Sequence, residues 1–212
     1  MKIQLDQTSD AELLRLMLAG KRAAFAQLYQ RWQAPVYRFA LRLSGSVELA
    51  EDVTQDVFLT LMRDGAQYSG SGSFAAYLLT IARHSVLRRL QRERRFVTLE
   101  TNGESEDTPL PDGLPDDAVD EAGPLANLTR SEMTEAVRQA VQGLPLHYRE
   151  VVLLCHMQEL SYTEAAEVIG CEIGTVCSRL YRARVLLAKS LAGWKPEAAA
   201  APIKLKPARY AI

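Results

Sequence analysis

At 212 residues, 24% of them charged and 48% hydrophobic, the chain has room for one medium domain or two small ones of soluble globular composition. Its polar start, Met1 to Asp10, has no apolar core of a secretory signal, no apolar run is long enough to span a bilayer, and the three cysteines read as reduced cytoplasmic thiols. A formal net charge of -1 would argue against phosphate binding if it were uniform, but no Lys or Arg lies between Arg95 and Arg130, where acidic residues from Glu100 to Glu121 collect, and both flanks are net basic.

Ser9-Asp10-Ala11-Glu12 has the spacing of a capping box and opens a short Leu-rich helix that stops at Gly20. Phe25, Leu28, Tyr29, Trp32, Val36, Phe39, Ala40 and Leu43 then recur at steps of three and four, the period of a buried helical face; Pro35 within the run predicts a kink or break, and Gly45 ends it. A third helix, from about Val47 to Arg63, puts Ala50, Val53, Val57 and Leu61 on one stripe. Tyr68 to Ser73 is a loop by composition, and from Phe74 a long helix runs to about Arg95 with Leu79, Ala82, Val86 and Leu90 as its apolar line.

Residues 96–127 hold Pro109, Pro111, Pro115, Pro124 and the acidic cluster, too little apolar surface to offset the entropy of ordering, and read as a flexible linker. Fully stretched it reaches roughly 100 Å at about 3.3 Å per residue. Beyond it, Thr129-Arg130-Ser131-Glu132 caps a helix ending at Gly143, and Pro145 opens another in which Tyr148, Val151, Val152 and Cys155 share a face. A further capping box, Ser161-Tyr162-Thr163-Glu164, starts a short helix through Ile169; Gly170 makes the turn; and Ile173, Val176, Leu180, Ala183 and Leu187 step by three and four along the last helix. Residues 193–212 form a tail rich in Ala, Pro and Lys. No segment alternates with period two, so the fold class is all-α: two small helical domains, 1–95 and 128–192, joined by the acidic linker.

A short capped helix, a Gly turn and a longer helix with a continuous core stripe is the layout of a helix-turn-helix, whose second helix enters the major groove. The stripe leaves Thr175, Ser178, Tyr181 and Arg182 outward, hydroxyls and a guanidinium that can reach base edges and phosphates. An ordinary solvated face is the competing reading. The wording goes further: Leu160-Ser161-Tyr162-Thr163-Glu164-Ala165-Ala166-Glu167-Val168-Ile169-Gly170, followed by Gly174-Thr175-Val176-Cys177-Ser178-Arg179-Leu180-Tyr181-Arg182-Ala183-Arg184, resembles region four, the promoter-binding domain of extracytoplasmic-function (ECF) sigma factors, and Gly143 to Val152 resembles that domain's first part. The resemblance implies that Cys177, Ser178, Tyr181 and Arg182 face the minus-35 element. Cys177, where the family usually has Lys or Arg, and Glu172, where Pro is frequent, depart from it.

The first half resembles the same family. Ala50-Glu51-Asp52-Val53-Thr54-Gln55-Asp56-Val57-Phe58 is similar to the segment of region two that docks on the clamp helices of the polymerase β′ subunit, which implies core-binding roles for Asp52, Gln55, Asp56 and Phe58. By spacing alone, Asp52, Gln55, Asp56 and Leu59 form a ridge beside the apolar stripe, and a solvated acidic face is the bland alternative. Phe74 to His84 resembles the promoter-melting and minus-10-reading helix, implying DNA contacts by Tyr77, Arg83, His84, Arg88, Arg92 and Arg95; Arg89 and Arg94 add charge, and aromatics between Tyr68 and Tyr77 can hold an unstacked base. Tyr77 for Trp, His84 for Asn and Arg88 for Asp are departures here.

The resemblance therefore implies a non-catalytic subunit without cofactor or metal, not inserted in a membrane, whose partners are core RNA polymerase (β′ clamp helices and β flap), promoter DNA and an anti-sigma factor. Two other readings stand beside it: a helix-turn-helix regulator that is not a polymerase subunit, and an enzyme using Cys155 with His156 or His147. Without a C-x-x-C pair, and with Cys155 on an apolar face, neither zinc nor thiol chemistry is expected.

Overall fold

The computed structural model describes residues 8–68, 70, 72–100 and 124–192. Among them there is no β-strand. The first unit comprises α1 (Asp10–Leu18), α2 (Arg22–Ser44), α3 (Val47–Asp64), a 3-10 turn at Gly65–Gln67 and α4 (Phe74–Glu100). Two of these starts have a side-chain cap. The Ser9 hydroxyl accepts the Glu12 N–H at 3.3 Å, but the rest of the expected capping box is absent, because the Glu12 carboxylate turns to Arg15 at 2.8 and 2.6 Å. Ser46 caps α3 by accepting the Leu49 N–H at 3.2 Å. Pro35 neither breaks nor ends α2. The helix is held on both sides of it by the buried Leu28, Val36, Phe39 and Leu43, and that burial outweighs the ~3 kcal/mol a mid-helix proline costs. The stripes of α2, α3 and α4 converge through Phe39, Val53, Val57, Leu61, Leu78, Leu79, Ala82 and Val86, all buried.

The second unit comprises α5 (Pro124–Gln142), α6 (Leu146–Val152), a π-helical turn at Leu153–Met157, α7 (Tyr162–Ile169) and α8 (Ile173–Leu191). Val151, Leu154, Ala165, Val168, Val176, Leu180 and Ala183 form its interior. Ile173, expected on the buried stripe of α8, is 45% exposed.

Two boundaries differ from expectation. Helix α4 continues to Glu100, Phe96 to Glu100 containing neither Gly nor Pro, and α5 begins at Pro124 rather than at the Thr129 cap. Proline suits a first helical position, where its missing N–H has no partner to lose and its fixed φ is already helical. The expected linker is thus trimmed at both ends; its interior, 101–123, and the tail, 193–212, lie outside the described residues. The two units are in contact, and one continuous cluster of buried apolar side chains runs through both.

Candidate nucleic-acid interface

Helix α7 starts with a complete capping box. The Ser161 hydroxyl oxygen accepts the Glu164 N–H at 3.2 Å, while the Glu164 carboxylate accepts from the Ser161 N–H at 2.8 Å and from its hydroxyl at 2.7 Å. Burial would raise the Glu164 carboxyl, but the hydrogen bonds to Ser161 and Ser73 hold it below the usual carboxylate value. Gly170 closes the helix at φ +76°, donating to the Ala166 carbonyl at 2.8 Å. That left-handed residue sends the chain back across α7 and sets α8 in the second position of a helix-turn-helix. Val176, Leu180 and Ala183 anchor α8 inward. Cys177, Ser178, Tyr181 and Arg182 face solvent, Tyr181 at 70% exposure, and Thr175 is half-buried beside them. The Ser178 hydroxyl donates to the Thr175 carbonyl at 3.0 Å, leaving its oxygen open as an acceptor. Arg179, between these outward residues, turns inward and donates to Glu150 at 3.0 Å.

On α3, Asp52 and Gln55 are exposed and Asp56 is half-buried. Arg89 of α4 joins the two acids, donating to Asp52 at 2.6 Å and to Asp56 at 2.7 Å, and the Ser85 hydroxyl donates to Asp56 at 2.9 Å. Burial pushes the Asp56 carboxyl up, but those hydrogen bonds and the charges of Arg89 and Arg88 leave it net below its ordinary value. The ridge continues into two exposed apolar side chains, Leu59 at 59% and Met62. Phe58, one position before Leu59, points the other way: it is 3% exposed, with ring centroids 6.3 Å from Phe25 and 4.7 Å from Tyr29.

The start of α4 carries an aromatic group. Phe74 lies 5.9 Å from Trp32 and 5.5 Å from Tyr68, and Tyr77 lies 5.2 Å from Tyr68, so two half-buried tyrosines rim a buried phenylalanine. Further along, His84, Arg88 and Arg92 recur at intervals of four and are all exposed. Arg83, on a neighbouring face, donates from Nε to Glu150 at 2.8 Å.

Residues 28–96 match the sigma-70 region 2 family and residues 134–187 match sigma-70 region 4. Over 186 residues, covering 87% of this chain and 86% of the relative, the sequence is 33% identical to the ECF RNA polymerase sigma factor SigM of Mycobacterium tuberculosis. The chain belongs to the ECF family of RNA polymerase sigma factors. The RNA polymerase sigma-H factor of Pseudomonas aeruginosa is 30% identical, with 88% of this sigma factor and 96% of the relative covered. Among solved structures, the sigma factor RpoE of Bartonella quintana, in complex with the anti-sigma factor NepR, superposes with a TM-score of 0.62 at 25% identity, covering 81% of this chain and 98% of that one.

Against the sigma-factor expectation, the structure brings the outward group of α8 together as read from the sequence and keeps Asp52 and Gln55 accessible. Three expectations change. Phe58 is a core residue, held by Phe25 and Tyr29, and offers no surface for polymerase; the exposed apolar position on that ridge is Leu59. Arg83 is withdrawn from the cationic track by Glu150, and Arg89 by Asp52 and Asp56. Tyr77 is half-buried, against Tyr68 and Phe74. The side chain of Arg95 lies outside the described residues. Sequence reasoning missed Glu150, a carboxylate 3% exposed between two arginines, because on a helix that also carries His147 and Arg149 nothing local marks it as the buried polar residue. Burial pushes the Cys155 thiol up to about 12, away from the thiolate; among the described residues no His, Cys, Asp and Glu group could hold a metal ion, and no helix is long and apolar enough to cross a membrane.

Proposed function

We infer that this chain is the promoter-selecting subunit of an RNA polymerase holoenzyme, acting in the cytoplasm and carrying out no chemistry itself. The observation that carries the reading is that one chain presents, in order, an exposed acidic and apolar ridge on α3, an aromatic and arginine face on α4, and an outward Ser, Tyr and Arg face on a helix-turn-helix. In this reading Asp52, Gln55 and Leu59 meet cationic and apolar groups on the polymerase clamp. The Tyr68 and Tyr77 rim takes an unstacked minus-10 base, a contact worth ~1–3 kcal/mol, while Arg88 and Arg92 follow the phosphates. Thr175, Ser178, Tyr181 and Arg182 read the minus-35 duplex, with Cys177 offering an apolar contact where relatives place a cation. The complex of the Bartonella relative with NepR supports an anti-sigma factor as a further partner.

Binding to core polymerase tests the reading. Leu59→Asp is expected to weaken association with core polymerase while leaving folding intact, since Leu59 is exposed and outside the hydrophobic interior; an unchanged affinity would remove the α3 ridge from the mechanism. A helix-turn-helix regulator outside polymerase gives no role to the sigma-70 region 2 half.

A further inference from the structure

The outward face of α8 is apolar where the helix begins and cationic only further along. Ile173, Cys177 and Tyr181 stand four positions apart, on successive turns of one side; Ile173 is 45% and Tyr181 70% exposed, and Cys177 is exposed between them. A free cysteine behaves as a small apolar group, so water meets three weakly hydrated side chains in a row rather than one stray apolar residue. No cation serves this stretch. Arg179, the one Lys or Arg between Ile173 and Tyr181, is drawn inward to Glu150 at 3.0 Å, and the first exposed guanidinium of the helix is that of Arg182. Glu172, exposed just before the helix and making no capping hydrogen bond, sets a negative charge at the end whose positive pole would otherwise attract a phosphate. The Ser178 hydroxyl has spent its proton on the Thr175 carbonyl at 3.0 Å, so its oxygen can only accept.

In the major groove each base shows a different group: thymine a C5 methyl, adenine and cytosine an exocyclic amino donor, guanine two acceptors that Arg or Lys grips with paired hydrogen bonds. Matched against α8, the apolar strip fits thymine methyls, the Ser178 oxygen fits an amino group of adenine or cytosine, and guanine finds a cation only from Arg182 onward. A guanine edge set against Ile173 and Cys177 would lose water from its acceptors and gain no donor. We propose that Ile173, Cys177 and Tyr181 make this chain a reader of thymine methyl groups in the minus-35 duplex, where a cation at position 177 would select phosphate or guanine. The proposal rests on the function inferred above and adds to it the base that each residue selects. The strip is about 12 Å long at about 1.5 Å per residue, and so faces roughly three to four base pairs at about 3.4 Å each.

Duplex templates randomised over the minus-35 and minus-10 segments, selected by initiation with holoenzyme reconstituted from core polymerase and the full chain, supply the site. Each thymine of the selected minus-35 segment is then replaced singly by deoxyuridine, which removes the methyl group and keeps every hydrogen-bonding atom. Initiation is expected to fall about fourfold at one or more thymines, the effect of withdrawing one buried methyl group. Cys177→Ser, isosteric and at an exposed position, should abolish that loss at one thymine and leave it at the others; Ile173→Asn should do the same at a neighbouring one, with helical circular dichroism unchanged in both. A selected minus-35 segment without thymine, or deoxyuridine tolerated at every position, would overturn the proposal while initiation itself upheld the promoter-selecting role. So would a deoxyuridine loss that neither variant moves, or variants that alter only the affinity for core polymerase, which would make the strip a protein-binding surface. Absence of initiation from every template would instead refute the function on which the proposal rests.

Discussion

Asp56 joins α3 to α4 through Ser85 and Arg89, and its charge is part of that joint. Because its carboxyl is held below the ordinary value in the folded chain, its contribution to stability is present above the unfolded carboxylate range and is lost as pH falls through the lower folded value. Asp56→Asn should therefore lower the urea midpoint at neutral pH, and the difference from wild type should vanish on acidification; a difference independent of pH would contradict the account. For the same reason Asp56→Arg is a poor probe of polymerase binding, since it places a second cation against Arg89. The neighbours Phe58 and Leu59 separate folding from binding more cleanly. Phe58→Ala should cost about 3–5 kcal/mol of unfolding free energy by emptying the space between Phe25 and Tyr29, while Leu59→Ala should change stability by less than about 0.5 kcal/mol. Chemical denaturation of the two variants measures both, and equal losses would mean the burial assignment is wrong.

At the scale of elements, the turn between α7 and α8 shows what can be read from local sequence. Ser161, Glu164 and Gly170 announced α7 to the residue, and the three-four spacing of Val176, Leu180 and Ala183 announced which face of α8 is inward, because capping and amphipathic burial are settled within a few positions. Gly170→Ala meets no atom within 4 Å, so its cost is the left-handed backbone alone, about 1–2 kcal/mol in thermal or urea unfolding, with Gly170→Asn costing less. Equal stability of all three would show that the turn relaxes. Where several continuations suit the same local sequence, the reading failed. Pro124 can break a helix or begin one, and α5 uses it to begin; the stretch from Phe96 to Glu100 has no breaker, and α4 runs on through it. Phe58 was misplaced because a family motif names positions without saying which way each side chain points, whereas the period of the same helix puts Leu59 outward. The pairing of Arg83 with Glu150 had no local sign at all, since 67 positions separate them.

At the scale of the molecule, the charge segregation seen in the sequence gains a geometric partner: two helical units in contact, with arginines divided between exposed positions and internal carboxylates. Arg88, Arg92 and Arg182 remain exposed, whereas Arg83, Arg89 and Arg179 are already paired with acids. The free chain should consequently bind duplex promoter DNA weakly and with steep salt dependence, and a gel shift showing tight, sequence-specific binding by the isolated chain would contradict this. Promoter-dependent run-off transcription, reconstituted from core polymerase and this chain, tests the central claim most directly. Initiation is expected only when both are present, with Arg182→Ala reducing it selectively on templates that depend on a minus-35 element, by about 1–3 kcal/mol. Specific duplex binding that needs no polymerase, together with no initiation on addition of core, would contradict the assignment of this chain as the subunit that selects the promoter.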